Sequence, residues 1–401
     1  MSFDGLKDSN EFLNLLLNNI NAAVLVVDKK FHLYQFNDFF LNLFDSSLDT
    51  FVEKSFGQIT GCINAVVENK PCGETSQCKD CIFRRSLLQT LIEKIPVEKV
   101  PLKRIFYIKG EARQKHLEFT TRPIEYQGKK LILVIIYDVS DIEAKNYELK
   151  EKQKQIDQDL KAAAGIQQSL LPNVAPKSPK VRIAWKFEPC ERIGGDIFNI
   201  HSPDNKHIGF YMLDVCGHGV SAALISVTVS QFIQNIRDLL ADESGIVPPE
   251  KVLKRINKAF PFERFDSYFT IIYMTVDLFD GCLTYSCAGH PPPVLIRSDK
   301  TIEILDHHGP IIGLSKGAPF GQARKWLQGG DKIVLYTDGI LEIGNSKKEL
   351  YGRNRFYNTI KEHADGSAQD IVDSIYKSIK TFGKNNRPDD DISILAVEYK
   401  G

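Results

Sequence analysis

Apolar residues follow three rhythms along the chain. From about 12 to 138 they fall in short runs. AAVLVVD (22–28) reads as a buried strand, FHLYQFN as its hairpin partner and DFFLNLFD as a short helix. After a helical middle, IFYIKG, KHLEFTTRPIEY and KKLILVIIYDVS read as three strands separated by Gly-containing turns. From about 139 to 171 the period becomes seven. Ile142, Leu149, Ile156, Ala163 and Leu170 recur at heptad spacing, with Leu160 and Ile166 beside that seam. A narrow apolar stripe on so charged a helix predicts a two-stranded coiled coil, and hence a homodimer, on the order of 50 Å long. The seam is imperfect, because Lys152 and Asp159 occupy positions where a stable coiled coil places a second apolar residue.

From about 178 to 400 strands alternate with helical blocks. RIAWKFEPC, GDIFNIHS, HIGFYMLD, SYFTIIYMTVD, GCLTYSCAGH, PPVLIRS, TIEILD, DKIVLYTDG and DISILAVEY carry strand patterns. GVSAALISVTVSQFIQNIRDLL, PPEKVLKRINKAF and AQDIVDSIYKSIKTF carry helical ones. Many antiparallel strands with separated helices predict an α+β fold, two sheets face to face with helices outside. The chain therefore divides into a small α+β module at 12–138, a linker helix at 139–172 and a larger domain at 178–400.

Charge removes several function classes. Lys plus Arg and Asp plus Glu are both 51, so no global field draws in nucleic acid or anionic lipid. The basic segment KVPLKRIFYIKGEARQKH (99–116) alternates charge with apolar residues, as a solvated strand face does. The N-terminus lacks the pattern of a signal peptide, and AAVLVV and LILVIIY are too short to span a bilayer. A cytoplasmic protein is expected, without membrane or nucleic-acid partners, in which the eight cysteines stay reduced unless they bind something.

Two clusters carry candidate chemistry. The first is acidic. Asp196 follows a double glycine in ERIGGDIF, Asp214 ends the strand HIGFYMLD, Asp338 ends IVLYTD, and Asp390 lies in the triplet before DISILAVE. A single such residue is a turn or cap. Four strand-edge carboxylates in one domain suit one rim of a sheet, where cations must hold them together. Oxygen ligands select Mg²⁺ or Mn²⁺, and two such ions activate water for in-line displacement at phosphorus. The second cluster is Cys62, Cys72, Cys78 and Cys81, spaced C-x9-C-x5-C-x2-C. Half the cysteines within twenty residues argue for a ligand set, Zn²⁺ or an iron–sulfur cluster, against a redox thiol pair or simple packing.

Two resemblances follow from these residues. The element order of 12–138, closing on DVS at 138–140, resembles the PAS sensor family. RIGGDIF, LDVCGHGVSAAL, SYFTIIYMTVD, CAGHPPPVLI, LYTDGILE and DDDISILAVE resemble the PPM-type phosphatases, the protein phosphatase 2C-like enzymes, in the bacterial branch of stage II sporulation protein E and the sigma-B regulator phosphatases. KAAAGIQQSLLP (161–172) resembles the segment that precedes the catalytic domain in that branch. This second resemblance implies a β-sandwich flanked by helices, two Mn²⁺ or Mg²⁺ ions and hydrolysis of phosphoserine or phosphothreonine. By position it makes Asp196, Asp214, Asp338 and Asp390 ligands, Asp214 bridging, with the Val215 carbonyl as a further one. Asp391 is the alternative to Asp390. Arg192 becomes a phosphate-binding candidate, against a surface arginine beside Glu191. His218 is either a general acid or a turn residue, Cys216 a packing residue and His290 a loop-shaping one. The implied substrate is a phosphoserine on an anti-sigma factor antagonist, a STAS-type protein, in a partner-switching pathway. The rival reading is a non-catalytic PAS-containing adaptor that uses the phosphatase fold to bind a signalling partner.

Overall fold

The computed structural model describes residues 10–45, 54–172, 178–235, 241–242, 245–384 and 388–401. The predicted helix end at 236–240, Arg387 of the acidic loop and the N-terminal residues 1–9 lie outside the described residues. The chain forms two compact units, Met1–Lys154 and Gln155–Gly401. No helix among the described residues is long and apolar enough to cross a membrane.

The first unit is built on an antiparallel sheet with strands in the order Leu33–Phe36, Ala23–Val27, Lys129–Asp138, Glu111–Tyr126 and Val97–Ile108. Two strands, a helical middle and three strands are the expected succession. The third-from-last strand begins at Val97, well before IFYIKG. Its alternating exposure makes the basic segment the solvated face of a hairpin. Helix Ile82–Glu93 packs on the sheet, and Phe40, Phe44, Phe56, Phe83, Phe106 and Phe119 fill the space beneath it. At the end of Lys129–Asp138, the Asp138 carboxylate accepts from the Ser140 amide and hydroxyl, so DVS turns the strand into a helix.

That helix runs from Ser140 to Leu170 and is divided between the two units. Its heptad stripe changes surroundings along its length. Leu149 is 64% exposed and Ile142 and Ile156 are also exposed, whereas Leu170 packs on the core of the second unit.

The second unit is a two-sheet sandwich. One sheet runs Ala323–Trp326, Cys282–Ala288, Phe269–Asp277, His207–Val215, Ile197–His201. The other runs Ile302–Ile304, Val294–Ile296, Lys332–Tyr336, Ile392–Tyr399, Val181–Glu188. Strand alternation sorts the side chains. In Phe269–Asp277, Ile272 and Met274 enter the layer between the sheets, while Ile271 and Tyr273 face helices Val220–Asn235 and Pro249–Ala259. In Ile392–Tyr399, Leu395 and Val397 enter that layer, and Ile394 and Ala396 face helices Gly352–Glu362 and Ala368–Phe382. Both central strands are buried on two faces, which is why they read as continuous apolar runs. Two elements had weak sequence signals. Gly352–Glu362 is mostly polar and buries only Phe356, Thr359 and Ile360, and the edge strand Ala323–Trp326 is half-exposed with two cations in four residues.

Candidate active site

Sandwich topology brings four strand ends to one edge. Ile197 pairs with Leu213, which sets Asp196 beside Asp214 one position further on. Asp338 follows Lys332–Tyr336 by two residues, and Asp390 and Asp391 immediately precede Ile392–Tyr399, the neighbouring strand. Asp214, Asp338 and Asp390 line one cavity of ≈ 290 Å³ together with Val215, Cys216, Gly217, His218 and Thr270. Asp389 also lines it, and no Lys or Arg does among the described residues.

Asp196 lies behind this wall, 2% exposed. Its Oδ2 accepts from the Thr337 hydroxyl at 2.7 Å and the Ser393 hydroxyl at 2.6 Å, both on the opposite sheet. Burial, then Asp214 and Asp391, hold the Asp196 carboxyl well above the usual carboxylate range, against the two hydroxyls that lower it. Burial, then Asp338, Asp390 and Asp391, push Asp214 up to about 7. Asp390 is raised chiefly by burial. Carboxylates sharing one cavity with no cationic side chain lining it have the chemistry that a hard divalent ion takes. The oxygen donors of Asp196, Asp214, Asp338, Asp390 and Val215 suit such an ion.

The double glycine before Asp196 is explained by close approach. A Cβ on Gly194 would lie 2.1 Å from Asp391 Oδ2, and one on Gly195 2.9 Å from the Val215 carbonyl oxygen. Asp391 is itself a brace: its Oδ1 accepts from the Cys190 amide at 2.8 Å and its Oδ2 from the Asp196 amide at 3.1 Å. It is 2% exposed, while Asp390 faces the cavity. Among the described residues, Cys190, Asp390 and Asp391 are the one group of three or more His, Cys, Asp or Glu whose donor atoms all lie within 4.8 Å of one another. Asp391 thus braces the loop before Asp196, while Asp390 is the one of the pair that faces the cavity. Accordingly, Asp391→Ala, which strands two buried amides, is expected to cost about 2–5 kcal/mol of stability, and Asp390→Ala about 1 kcal/mol or less. Urea unfolding of the two variants in chelator checks this, and equal losses would reverse the two roles.

The remaining candidates separate. Arg192 does not line the cavity: Nη2 pairs with the Asp157 carboxylate at 2.9 Å and Nη1 donates to the Asp157 carbonyl at 3.1 Å. His218 stands on the cavity wall, exposed, with Nδ1 3.2 Å from Glu191. Cys216, expected to pack, is exposed on that wall, because its strand ends at Val215. His290 does more than shape a loop: it is buried, and its ring bonds the hydroxyl of Thr270, the ladder partner of Asp214.

Sequence patterns gave no sign of Gln167. It is 3% exposed on an otherwise solvated helix. Its side-chain amide donates to the Gly194 carbonyl at 2.7 Å and accepts from the Gly194 amide at 3.2 Å. It also donates to Ser226 at 3.3 Å. With Asp157, the helix thus holds both ends of the loop Arg192–Gly194 that leads into Asp196. The only available signal was a glutamine pair flanked by apolar residues in GIQQSLL.

Comparison with known proteins agrees with this geometry. Residues 204–400 match the profile of the family described as Stage II sporulation protein E (SpoIIE). The chain is 28% identical over 254 residues to phosphoserine phosphatase RsbU of Bacillus subtilis, across 63% of this chain and 73% of that protein. It is 26% identical over 222 residues to phosphoserine phosphatase RsbP of Bacillus subtilis, across 55% of this chain but 53% of that protein, about half its length. The SiaA-PP2C domain of Pseudomonas aeruginosa has the same fold, with a TM-score of 0.55 and 21% identity over 62% of this chain and 99% of that domain.

Proposed function

We propose, on the premise that residues 204–400 are a protein serine phosphatase domain of the stage II sporulation protein E family, that the chain is a sensor-regulated, metal-dependent phosphatase of bacterial signalling. The observation that carries the reading is the convergence of Asp214, Asp338 and Asp390 on one cavity without a balancing side-chain cation, with buried Asp196 behind them. The two relatives named phosphoserine phosphatases support phosphoserine as the bond cleaved. The substrate is then a phosphoserine on an anti-sigma factor antagonist of STAS type. When bound, two Mn²⁺ or Mg²⁺ ions activate the attacking water and offset charge on the phosphoryl group.

This chain's own residues hold that arrangement rigid. Thr337 and Ser393 fix the Asp196 carboxylate from the opposite sheet, Asp391 fixes its backbone, and His290 fixes Thr270 beside Asp214. The adaptor alternative does not account for so many buried groups spent on orienting carboxylates. His218, on the cavity wall and paired with Glu191, is placed to hand a proton to a departing serine oxygen.

The first unit is read as a PAS-type sensor, which its five-stranded antiparallel sheet supports. The exposed Ile142, Leu149 and Ile156 support pairing of two copies along the linker helix in a cytoplasmic homodimer. The test of the enzyme is manganese-dependent phosphate release from serine-phosphorylated antagonist proteins. Release without added metal, or none from any such protein while a model phosphoester is cleaved, removes the metal or the substrate reading respectively. For the dimer, sedimentation of the full chain is expected to give twice the chain mass, and Leu149→Glu with Ile156→Glu the monomer. A monomeric wild type overturns the pairing.

A further inference from the structure

Outside the acidic site, the four clustered cysteines sit in the first unit with an unusual set of neighbours. Cys62, Cys72 and Cys81 line one cavity with Phe31, Phe56, Phe83 and Phe106, and two guanidiniums, Arg84 and Arg104, join them. Cys78 stands next to the group, close enough to Cys72 for their charges to interact. The four residues come from three different places in the local fold: the residue before helix Ile63–Glu68, the turn after it, and the middle of the segment Ser76–Asp80 with the residue that follows it into Ile82–Glu93. None forms a disulfide.

Hydrogen-bond donors reach two of the sulfurs, while burial pushes the Cys72 thiol up. The Gly73 amide donates to Cys78 Sγ at 3.1 Å, and the Thr75 hydroxyl lies 2.9 Å from the same atom. Arg104 Nη1 donates to Cys62 Sγ at 3.4 Å, and its charge also interacts with Cys81 and Cys72. Gly57 has no side chain because a Cβ there would lie 2.6 Å from Cys72 Sγ. Arg84 stacks over the Phe31 ring at 5.3 Å, and Arg104 turns its guanidinium to Cys62, so two positive charges border the thiols. Four thiolates around a doubly charged centre carry a net charge of about −2, which Arg84 and Arg104 balance.

The surroundings separate the two candidate centres, zinc and an iron–sulfur cluster. A cluster whose iron atoms each take their own thiolates prefers an apolar sheath with N–H donors at sulfur.

We propose that Cys62, Cys72, Cys78 and Cys81 bind an iron–sulfur cluster, with Arg84 and Arg104 as its counter-charges. The proposal is independent of the phosphatase reading, because it concerns only the first unit. The full chain, purified anaerobically after expression with iron, is expected to be brown. It should contain iron and acid-labile sulfide in equal amounts, about two or four of each per chain. Cys72→Ser and Cys81→Ser should each lose most of both, whereas Cys282→Ser, in the other unit, should keep them. Arg104→Gln, which leaves all four thiols in place, should keep the cluster and make it harder to reduce, because a positive charge beside it is removed. One equivalent of zinc without sulfide overturns the proposal. So does folded, iron-supplied protein in which all eight thiols react with a thiol reagent and no metal is found.

Discussion

Asp214→Asn is expected to lower manganese-dependent phosphate release by at least about 1,000-fold, while the metal-free variant unfolds no more easily than the wild type. Both halves follow from one observation. Burial first, and then the neighbouring Asp338, Asp390 and Asp391, push the Asp214 carboxyl up to about 7. An amide of the same shape removes the repulsion, so the empty site is relieved. It also removes a ligand charge on which both ions would depend. Function and stability thus oppose each other at this position, as they do where active sites hold strained charge. The measurements are single-turnover phosphate release at saturating manganese and thermal unfolding in chelator. A variant that keeps more than a tenth of the activity sinks the bridging role. One that is markedly less stable without metal sinks the repulsion argument.

Gln167→Leu is expected to raise the manganese concentration for half-maximal activity by roughly tenfold or more, with a smaller change in the rate at saturation. The leucine keeps the volume and drops three hydrogen bonds, two of them to the backbone of Gly194. Each buried backbone group left without a partner costs about 1–3 kcal/mol, and relaxation of the 192–195 loop is the cheapest way to recover it. That loop carries Asp196, so the relaxed state holds metal less well. If the leucine variant binds manganese like the wild type, the helix is packing and not a determinant of the site.

The fold was legible where periodicity was strong. Ala368–Phe382 matches the helix read from its pattern end for end, because its apolar residues keep strictly to one face. Gly352–Glu362 was missed because three buried residues among eleven give too narrow a stripe to detect. That Asp214, Asp338 and Asp390 would share one edge was legible from their common place at strand ends. Their order of importance was not. Asp390 and Asp391 are adjacent in sequence, and only the amides of Cys190 and Asp196 reveal which one is turned inward. Arg192 shows the same limit from the other side. Its distance from Asp196 along the chain suggested phosphate, while the structure gives it to Asp157. Four cysteines were conspicuous by spacing, but the arginines that answer their charge lie on Ile82–Glu93 and Val97–Ile108 and carry no pattern that ties them to the thiols.

The brace made by Asp391 spans 195 residues of chain to Asp196, and its strand, Ile392–Tyr399, lies between Lys332–Tyr336 and Val181–Glu188. Contacts of such long sequence separation form late and slowly. During synthesis, the segment that opens the domain must wait on the ribosome for the partner that closes it. Until residues 389–399 emerge, the second sheet lacks an inner strand and Asp196 lacks two of the groups that aim it, Asp391 and Ser393. A stalled or prematurely terminated chain is therefore silent as well as unstable, and a signalling pathway built on this domain receives no input from unfinished copies.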